Sequence, residues 1–173
     1  MRVRGSRFGV QGGWALGVVV CVLVGAGFVA PAQLAVMDGG EKPRQYVTYA
    51  AEAQTVAAGK RGVLELRFRV VDGFHVNSHT PKSEMLIATE LTLRPADGVK
   101  PGTLEYPAGK PYAFSFDPTD KLDVYAGDFT VKLPVVATAG EHSLEGSLRY
   151  QACDNASCYP PRTVPVKVLF TAK

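Results

Sequence analysis

Two cysteines near the C-terminal end of the chain are the residues best suited to chemistry. Cys153 and Cys158 stand in the segment YQACDNASCYPP, and the four residues between them are small or turn-forming. The third cysteine of the chain, Cys21, lies inside an apolar run near the N-terminus. Removal of an N-terminal leader that contains Cys21 leaves two thiols with no third to compete, and in an oxidising compartment such a pair forms a disulfide by default. The sequence therefore predicts a Cys153–Cys158 disulfide.

A disulfide with this spacing has a structural use and a redox use. Small exported domains use disulfides structurally more often than catalytically. However, a closed loop of six residues removes only about 2 kcal/mol of entropy from the unfolded chain, so the pair is poorly placed as a staple. Redox exchange instead needs two sulfurs close in sequence at the edge of a rigid scaffold, which this spacing provides.

Metal binding is a third use of the two thiols. His75 and His79 share a strand face by parity, and with the thiolates of Cys153 and Cys158 they form a four-ligand set suited to zinc or Cu(I). The residues alone leave three functions open: redox exchange, metal handling, and a non-redox interaction module with a structural disulfide.

Neighbouring residues distinguish the two sulfurs. Alternation along the preceding strand places Cys153 on the polar face, where a partner can reach it. The carboxylate of Asp154 disfavours a thiolate at Cys153, whereas Ser157 and Tyr159 beside Cys158 are neutral. We therefore expect Cys158 to be the exchanging sulfur and Cys153 the resolving one. Since no Lys, Arg or His lies within the loop, both thiols are expected to be unactivated.

The basic excess of the chain lies in its first 32 residues. The chain has 19 Lys and Arg residues, 16 Asp and Glu residues and a net charge of +3, and Arg2, Arg4 and Arg7 account for that excess. The remainder is neutral, with the two signs interspersed. This pattern excludes a nucleic-acid-binding protein, which would need a basic patch along the phosphate backbone.

An apolar run of 17 residues, Trp14 to Ala30, follows the three arginines and leads into Ala30-Pro31-Ala32. This pattern predicts an export signal peptide over residues 1–32, cleaved after Ala32. The run also reaches the shortest length that spans a bilayer, so an uncleaved N-terminal anchor is the alternative and the one membrane attachment expected. Residues 33–44 are predicted to be a linker, and residues 45–173 form one extracytoplasmic domain.

Alternating apolar and polar residues predict the strands that must hold the cysteines. Five segments alternate with a period of two: 64–70, 90–94, 129–133, 144–152 and 164–170. A sixth strand is predicted between Tyr46 and Val56, and Asp117 to Asp120 is predicted to be a turn. Several short strands with regular turns predict an all-β fold, an immunoglobulin-like β-sandwich.

The cysteine segment also resembles a known family. YQACDNASCYPP, preceded by GFHVNS at Gly73 to Ser78 and YPAGK at Tyr106 to Lys110, is similar to the N-terminal periplasmic domain of the thiol:disulfide interchange protein DsbD, the disulfide bond corrector family. The similarity covers roughly Tyr46 to Phe170. It implies a sandwich without a cofactor, in which Cys153 and Cys158 take electrons from a DsbD-like membrane electron carrier or a thioredoxin-like protein. The implied acceptors are oxidised periplasmic thiol proteins, so the chain would be a protein-disulfide reductase component.

The resemblance also implies which residues line the site. Members of the family shield their cysteines with a loop that bears an aromatic residue, and the segment from Tyr112 to Asp117 lies where that cap is expected. The expected site-lining residues are Phe74, His75, Asn77, Phe114, Phe116, Tyr150 and Tyr159. The alternatives are structural: buried core aromatics for the phenylalanines and tyrosines, and a solvated strand end for His75.

Two features depart from the family pattern. Ala152 stands before the first cysteine where the pattern has glycine, and the spacer is one residue shorter, so the loop shape and the reduction potential are expected to differ. The complete interchange protein continues into a membrane domain and a thioredoxin-like domain, whereas this sequence ends at Lys173. The expected reductant is therefore a separate polypeptide.

Overall fold

The structure is a computed structural model that describes residues 45–83, 85–114 and 117–173. The signal peptide or anchor predicted for residues 1–32, the linker predicted for residues 33–44, and Phe116 all lie outside the described residues. None of the described segments forms a helix with the length and apolar character needed to cross a membrane.

The described residues form twelve strands in three four-stranded sheets. In spatial order, the first sheet contains β1 (Val47–Ala50), β3 (Arg61–Val70), β9 (Asp128–Ala137) and β6 (Val99–Pro101). The second contains β2 (Gln54–Val56), β12 (Arg162–Ala172), β10 (Gly140–Tyr150) and β5 (Glu90–Leu93). The third contains β11 (Ala152–Cys153), β4 (His75–Asn77), β8 (Asp117–Tyr125) and β7 (Lys110–Phe114).

One apolar core lies between the first two sheets. Along β3 and β12, buried apolar residues alternate with residues that are mostly exposed, so each strand turns one face inward. Inward residues of both sheets, such as Leu66 and Val166, belong to a single buried cluster that also includes Val76 of the third sheet. The prediction of an all-β, immunoglobulin-like sandwich is confirmed.

The predicted sixth strand is two strands in different sheets. β1 pairs antiparallel with β3 in the first sheet, whereas β2 pairs parallel with β12 in the second. The segment from Tyr46 to Val56 therefore crosses from one layer of the sandwich to the other, which adds a local link between the layers.

A glycine turns the chain from the first sheet into the third. Gly73 has a φ of 82°, in the left-handed region that glycine enters without steric cost. The amide of Phe74 donates a hydrogen bond of 3.1 Å to the carbonyl oxygen of Val71 and closes this turn. The turn leads directly into β4, which pairs with the strand of the first cysteine.

The turn predicted at Asp117 to Asp120 is wrong, because these residues begin β8. Along the β7–β8 ladder, Ala113 pairs with Lys121, whereas the next residue, Phe114, pairs with Asp117. The residues of β8 between Asp117 and Lys121 therefore form a bulge. Proline is tolerated at a bulge, where its missing N–H breaks no ladder hydrogen bond. Turn-forming residues thus lie inside a strand.

Candidate redox site

Cys153 and Cys158 form a disulfide bond within a short hairpin, residues 152–159, that we call the redox hairpin. The sulfur–sulfur distance is 2.01 Å and the Cα atoms are 4.0 Å apart. The amide of Tyr159 donates to the carbonyl oxygen of Ala152 at 2.8 Å, and the amide of Asp154 donates to that of Ser157 at 2.9 Å. The predicted disulfide is therefore present, closed by a backbone ladder.

Asp154 folds the tip of the redox hairpin. Its Oδ1 atom accepts hydrogen bonds from the amides of Ala156 and Ser157, each at 2.8 Å. The hydroxyl of Tyr159 donates to the other carboxylate oxygen. An aspartate that accepts backbone N–H groups two and three residues ahead stabilises a turn locally. The Asp154 carboxylate, which was expected to disfavour a thiolate at Cys153, therefore also determines the shape of the loop.

The two sulfurs differ in accessibility. Cys153 is fully buried, with 0% of its surface exposed, whereas Cys158 is exposed. The prediction that Cys153 lies on an accessible face is wrong, because β10 ends at Tyr150 and the alternation does not continue past Gln151. The following strand, β11, joins the third sheet. Cys158 therefore lies at the surface, while Cys153 faces the protein interior.

His75 lies beside the buried cysteine. In the antiparallel β4–β11 ladder, His75 and Cys153 are direct partners, so their side chains lie on the same face of the sheet. Only 3% of the His75 surface is exposed, so the alternative of a solvated strand end is wrong. Burial lowers the pKa of His75, and the negative charge of Asp154 opposes that shift. His75 is therefore a buried imidazole that favours the neutral form.

Asn77 anchors the point where the chain enters the redox hairpin. Its Nδ2 atom donates to the carbonyl oxygen of Ile87 at 3.0 Å and to Oε1 of Gln151 at 3.2 Å. The amide of Ile87 donates to the same Gln151 oxygen at 3.3 Å. Since Gln151 separates β10 from β11, these bonds hold the break between the two strands. Asn77 is itself fully buried.

Strand β7 brings aromatic residues against the redox hairpin. The hydroxyl of Tyr112 donates to Oδ1 of Asn155 at 2.6 Å, and the Tyr112 ring lies 4.0 Å from the His75 ring between centroids. Phe114 packs edge-on against Tyr112 at 5.6 Å and lies 6.0 Å from His75. The segment expected to be the cap therefore contacts the hairpin, and Phe114 is only partly buried.

Tyr159 of the redox hairpin belongs to a second group of aromatic residues. Tyr46 stacks on Tyr159 at 5.2 Å and packs against Phe74 at 4.7 Å between centroids. Tyr150 is fully buried, and its hydroxyl accepts a hydrogen bond of 3.1 Å from the amide of Tyr46. Tyr46 was not predicted as a site residue, because it approaches the hairpin only when β1 joins the sandwich.

The four-ligand metal site predicted from the two histidines is wrong. The ring of His79 stacks on Tyr106 at 3.7 Å, and its Nδ1 atom lies 3.0 Å from the carbonyl oxygen of Thr89. In the described part of the chain, no three His, Cys, Asp or Glu side chains come close enough together to hold a metal ion. His79 lies beyond the end of β4, so the parity that relates it to His75 does not hold.

Comparison with known proteins assigns this region of the chain to a family. The family described as the N-terminal part of the thiol:disulfide interchange protein DsbD matches residues 44–169. The chain belongs to this family. The matched region includes the redox hairpin, β4 and β7, so all the site residues described above lie within this DsbD N-terminal family domain.

One curated relative of this DsbD N-terminal family domain is the thiol:disulfide interchange protein DsbD of Haemophilus ducreyi, which is 29% identical over 123 residues. The match covers 70% of this chain and 19% of the relative, so the chain spans about one fifth of that protein's length.

Two solved structures from Neisseria meningitidis also match. The DsbD N-terminal domain in the reduced form has 21% identity, a TM-score of 0.41, and coverage of 63% of this chain and 81% of that one. The complex between the DsbD N-terminal and PilB N-terminal domains has 20% identity, a TM-score of 0.47, and coverage of 75% and 87%.

Proposed function

We propose that this chain is an extracytoplasmic thiol–disulfide exchange protein that passes reducing equivalents through Cys153 and Cys158. The observation that carries the proposal is a short-loop disulfide with one exposed and one fully buried sulfur. Exchange proceeds by attack of a thiolate on one sulfur, so unequal access selects which sulfur is attacked. Membership of the DsbD N-terminal family supports the same chemistry.

Reduction begins at Cys158. A partner thiolate attacks Cys158 Sγ, a bond forms between the two sulfurs, and the Cys153–Cys158 bond breaks with its electron pair on Cys153. Cys153 then takes up a proton. A second partner thiolate displaces Cys158 from the mixed disulfide, the partner leaves as a disulfide, and the released Cys158 thiolate takes up the second proton. The pair has gained two electrons and two protons.

Oxidation returns these electrons to a substrate. Cys158 loses its proton, and its thiolate attacks a substrate disulfide and releases the first substrate thiolate. Cys153 then attacks Cys158 Sγ in the mixed disulfide. The Cys153–Cys158 bond forms again, and the second substrate thiol is released. Cys158 is therefore the exchanging sulfur and Cys153 the resolving sulfur.

The same proposal includes an electron donor, electron acceptors and a periplasmic location for this chain. The donor is a DsbD-like membrane electron carrier or a thioredoxin-like protein, and the acceptors are oxidised periplasmic thiol proteins. Export through a signal peptide at residues 1–32, a linker at 33–44 and a domain at 45–173 would place the hairpin in the periplasm. No cofactor takes part in these steps.

Trapping of a mixed disulfide tests the proposal. In the Cys21→Ser/Cys153→Ser variant, Cys158 remains exposed and has no resolving partner. The purified protein should therefore form a stable adduct with a thioredoxin-like protein whose own resolving cysteine is replaced by serine and whose other cysteine carries a small thiol as leaving group, because neither protein then holds a second thiol that could break the mixed disulfide. In the matched Cys21→Ser/Cys158→Ser variant, the remaining sulfur is buried, and adduct formation should be at least about tenfold slower, as a loss of thiol access predicts. Non-reducing electrophoresis measures both yields. Equal yields, or no adduct with either variant, would overturn the proposal.

A further inference from the structure

The His75 imidazole has no role in the exchange steps described above, although it lies beside one of the reacting sulfurs. His75 and Cys153 are direct partners in the β4–β11 ladder. Direct partners in an antiparallel pair have Cβ atoms about 4.5–5.5 Å apart. Both residues are buried, with 3% and 0% of their surfaces exposed. The imidazole therefore shares a dry compartment with the sulfur that leaves during reduction.

One nitrogen of this ring is unsatisfied in the oxidised protein. The Nε2 atom of His75 is buried and has no hydrogen-bond partner among the described residues. A buried polar atom without a partner is unfavourable, and its presence calls for an explanation. A disulfide sulfur carries no proton, whereas the thiol of reduced Cys153 does. Reduction thus adds a proton to the sulfur of the residue opposite His75 in the ladder, where a buried ring nitrogen without a partner in the described part of the chain can accept it.

The groups around the His75 ring are engaged elsewhere, so His75 is the group available to exchange a proton with Cys153. Among the described residues, the titratable groups that face it are Cys153 and Asp154 from the redox hairpin and Tyr112 from β7. The Asp154 carboxylate accepts hydrogen bonds from Ala156, and the Tyr112 hydroxyl donates to Asn155. Burial lowers the pKa of His75 more than Asp154 raises it, so the ring is a base in the oxidised protein.

We propose that His75 accepts and returns the proton of Cys153 during exchange. This step rests on the proposed function. When Cys153 attacks the mixed disulfide at Cys158, its S–H proton moves to His75 Nε2, the Cys153–Cys158 bond forms, and the partner leaves with the electron pair as a thiolate. His75 then releases the proton to water. In reduction the same proton, taken up from water by His75, neutralises Cys153 as it leaves. The Cys153 thiol and the imidazole therefore titrate as a coupled pair.

Reduction kinetics of the full chain test this role. Dithiothreitol reduces the disulfide of wild type, His75→Gln and His75→Phe at several values between about pH 5 and 8, and each rate is divided by the dithiothreitol thiolate concentration. Removal of the proton donor should slow this corrected rate at least about tenfold and flatten its pH profile in both variants. His75→Phe keeps a ring beside Tyr112, and His75→Gln keeps a polar group. If one variant packs poorly, the other still shows the effect of losing proton transfer.

A matched histidine serves as the control. His142 lies at the opposite end of β10 and stacks on Phe170, so His142→Phe should keep the wild-type rate and profile. Folded His75 variants with the wild-type profile would overturn the inference. Dithiothreitol needs no biological partner, so a failure of the proposed function would appear in the trapping experiment, and a failure of the His75 role would appear here.

A second measurement reads the coupled pair directly. In the Cys21→Ser/Cys158→Ser protein, Cys153 is the one remaining cysteine, so the ultraviolet absorbance of the thiolate reports the titration of Cys153 alone. With His75 present, the Cys153 thiolate should form at a lower pH than in the same protein carrying His75→Gln, because an adjacent imidazolium stabilises the thiolate. Identical titration curves would contradict a shared proton.

Discussion

Burial makes the two cysteines chemically unequal. The attacked sulfur in an exchange reaction is chosen by access, and the other sulfur becomes the leaving group. Cys158 is exposed and Cys153 is fully buried, so in the proposed exchange the leaving thiolate forms inside the protein. A charge that forms in a dry environment must be paired or neutralised. The residues around Cys153 are therefore as important to the reaction as the attacked sulfur.

His75 gives the oxidised protein a specific pH dependence of stability. Burial lowers its pKa below the ordinary value of about 6.5, so the unfolded chain binds a proton more readily than the folded chain. This part of the unfolding free energy is complete above about pH 6.5 and is lost as the pH falls through the folded-state pKa. In the His75→Gln variant, which cannot take up this proton, stability should fall less between pH 7 and pH 5, values on either side of about 6.5. Denaturant unfolding at each pH measures the difference, and parallel curves for the two proteins would contradict it.

Sequence reasoning identified the cysteine pair because both sulfurs lie within one short loop. The same reasoning missed the environment of Cys153. His75 reaches it through the β4–β11 ladder, a pairing between segments distant along the chain. The expectation of unactivated thiols considered only residues within the loop, and so it missed a histidine on the neighbouring strand. Family resemblance named His75 as site-lining, but only the register places it opposite Cys153.

At the level of elements, a break between strands decides where the redox hairpin points. β10 and β11 are separated by Gln151, whose side chain accepts hydrogen bonds from Asn77 and from the amide of Ile87. The chain therefore leaves the second sheet and enters the third within two residues of Tyr150. Alternation predicts strand faces reliably only while a strand stays in one sheet, which is why it misplaced Cys153.

Tyr112 connects strand β7 to the tip of the redox hairpin. Its hydrogen bond to Asn155 is 2.6 Å long and lies at a partly exposed position, so its net worth is about 0.5–1.5 kcal/mol. Tyr112→Phe should lower the unfolding free energy by that amount and loosen the hairpin. The rate of disulfide reduction by dithiothreitol should then rise by about 2- to 10-fold, the factor that corresponds to this free energy.

The control for Tyr112→Phe is a tyrosine with a hydrogen bond elsewhere. The hydroxyl of Tyr106 accepts the amide of Leu91 at 2.8 Å, away from the hairpin. Tyr106→Phe should therefore reduce stability without accelerating reduction of the disulfide. An unchanged reduction rate in Tyr112→Phe would show that β7 does not restrain the hairpin.

For the whole molecule, the period-two pattern was sufficient to predict the two sheets of the sandwich but not the third sheet. β3 and β12 are long and half buried, so their alternation is clear in the sequence. By contrast, β4 has three residues that are all buried, and β11 has two, so neither shows alternation. The site lies on these short strands, whose pairing joins segments that are distant along the chain.

The core of the sandwich does not depend on the disulfide. Its buried cluster joins inward residues of the first two sheets, such as Leu64 and Val168, whereas the disulfide closes only the hairpin at the end of β10. A six-residue loop contributes about 2 kcal/mol through the entropy of the unfolded chain. The oxidised and reduced forms should therefore both be folded.

Reduction of the full chain should lower the unfolding free energy by about 2 kcal/mol, because only the short loop is released. The denaturant dependence of unfolding should be unchanged, because nearly the same surface is exposed. A disulfide that stabilises the fold so little is also easily reduced, so its midpoint potential against glutathione should lie above about −300 mV. Denaturant titrations of the oxidised protein, the reduced protein and the Cys153→Ser/Cys158→Ser double variant measure the first quantity, and equilibration in glutathione buffers measures the second. If the reduced protein is unfolded, or if the potential lies below about −300 mV, the pair is a structural staple and the exchange function fails.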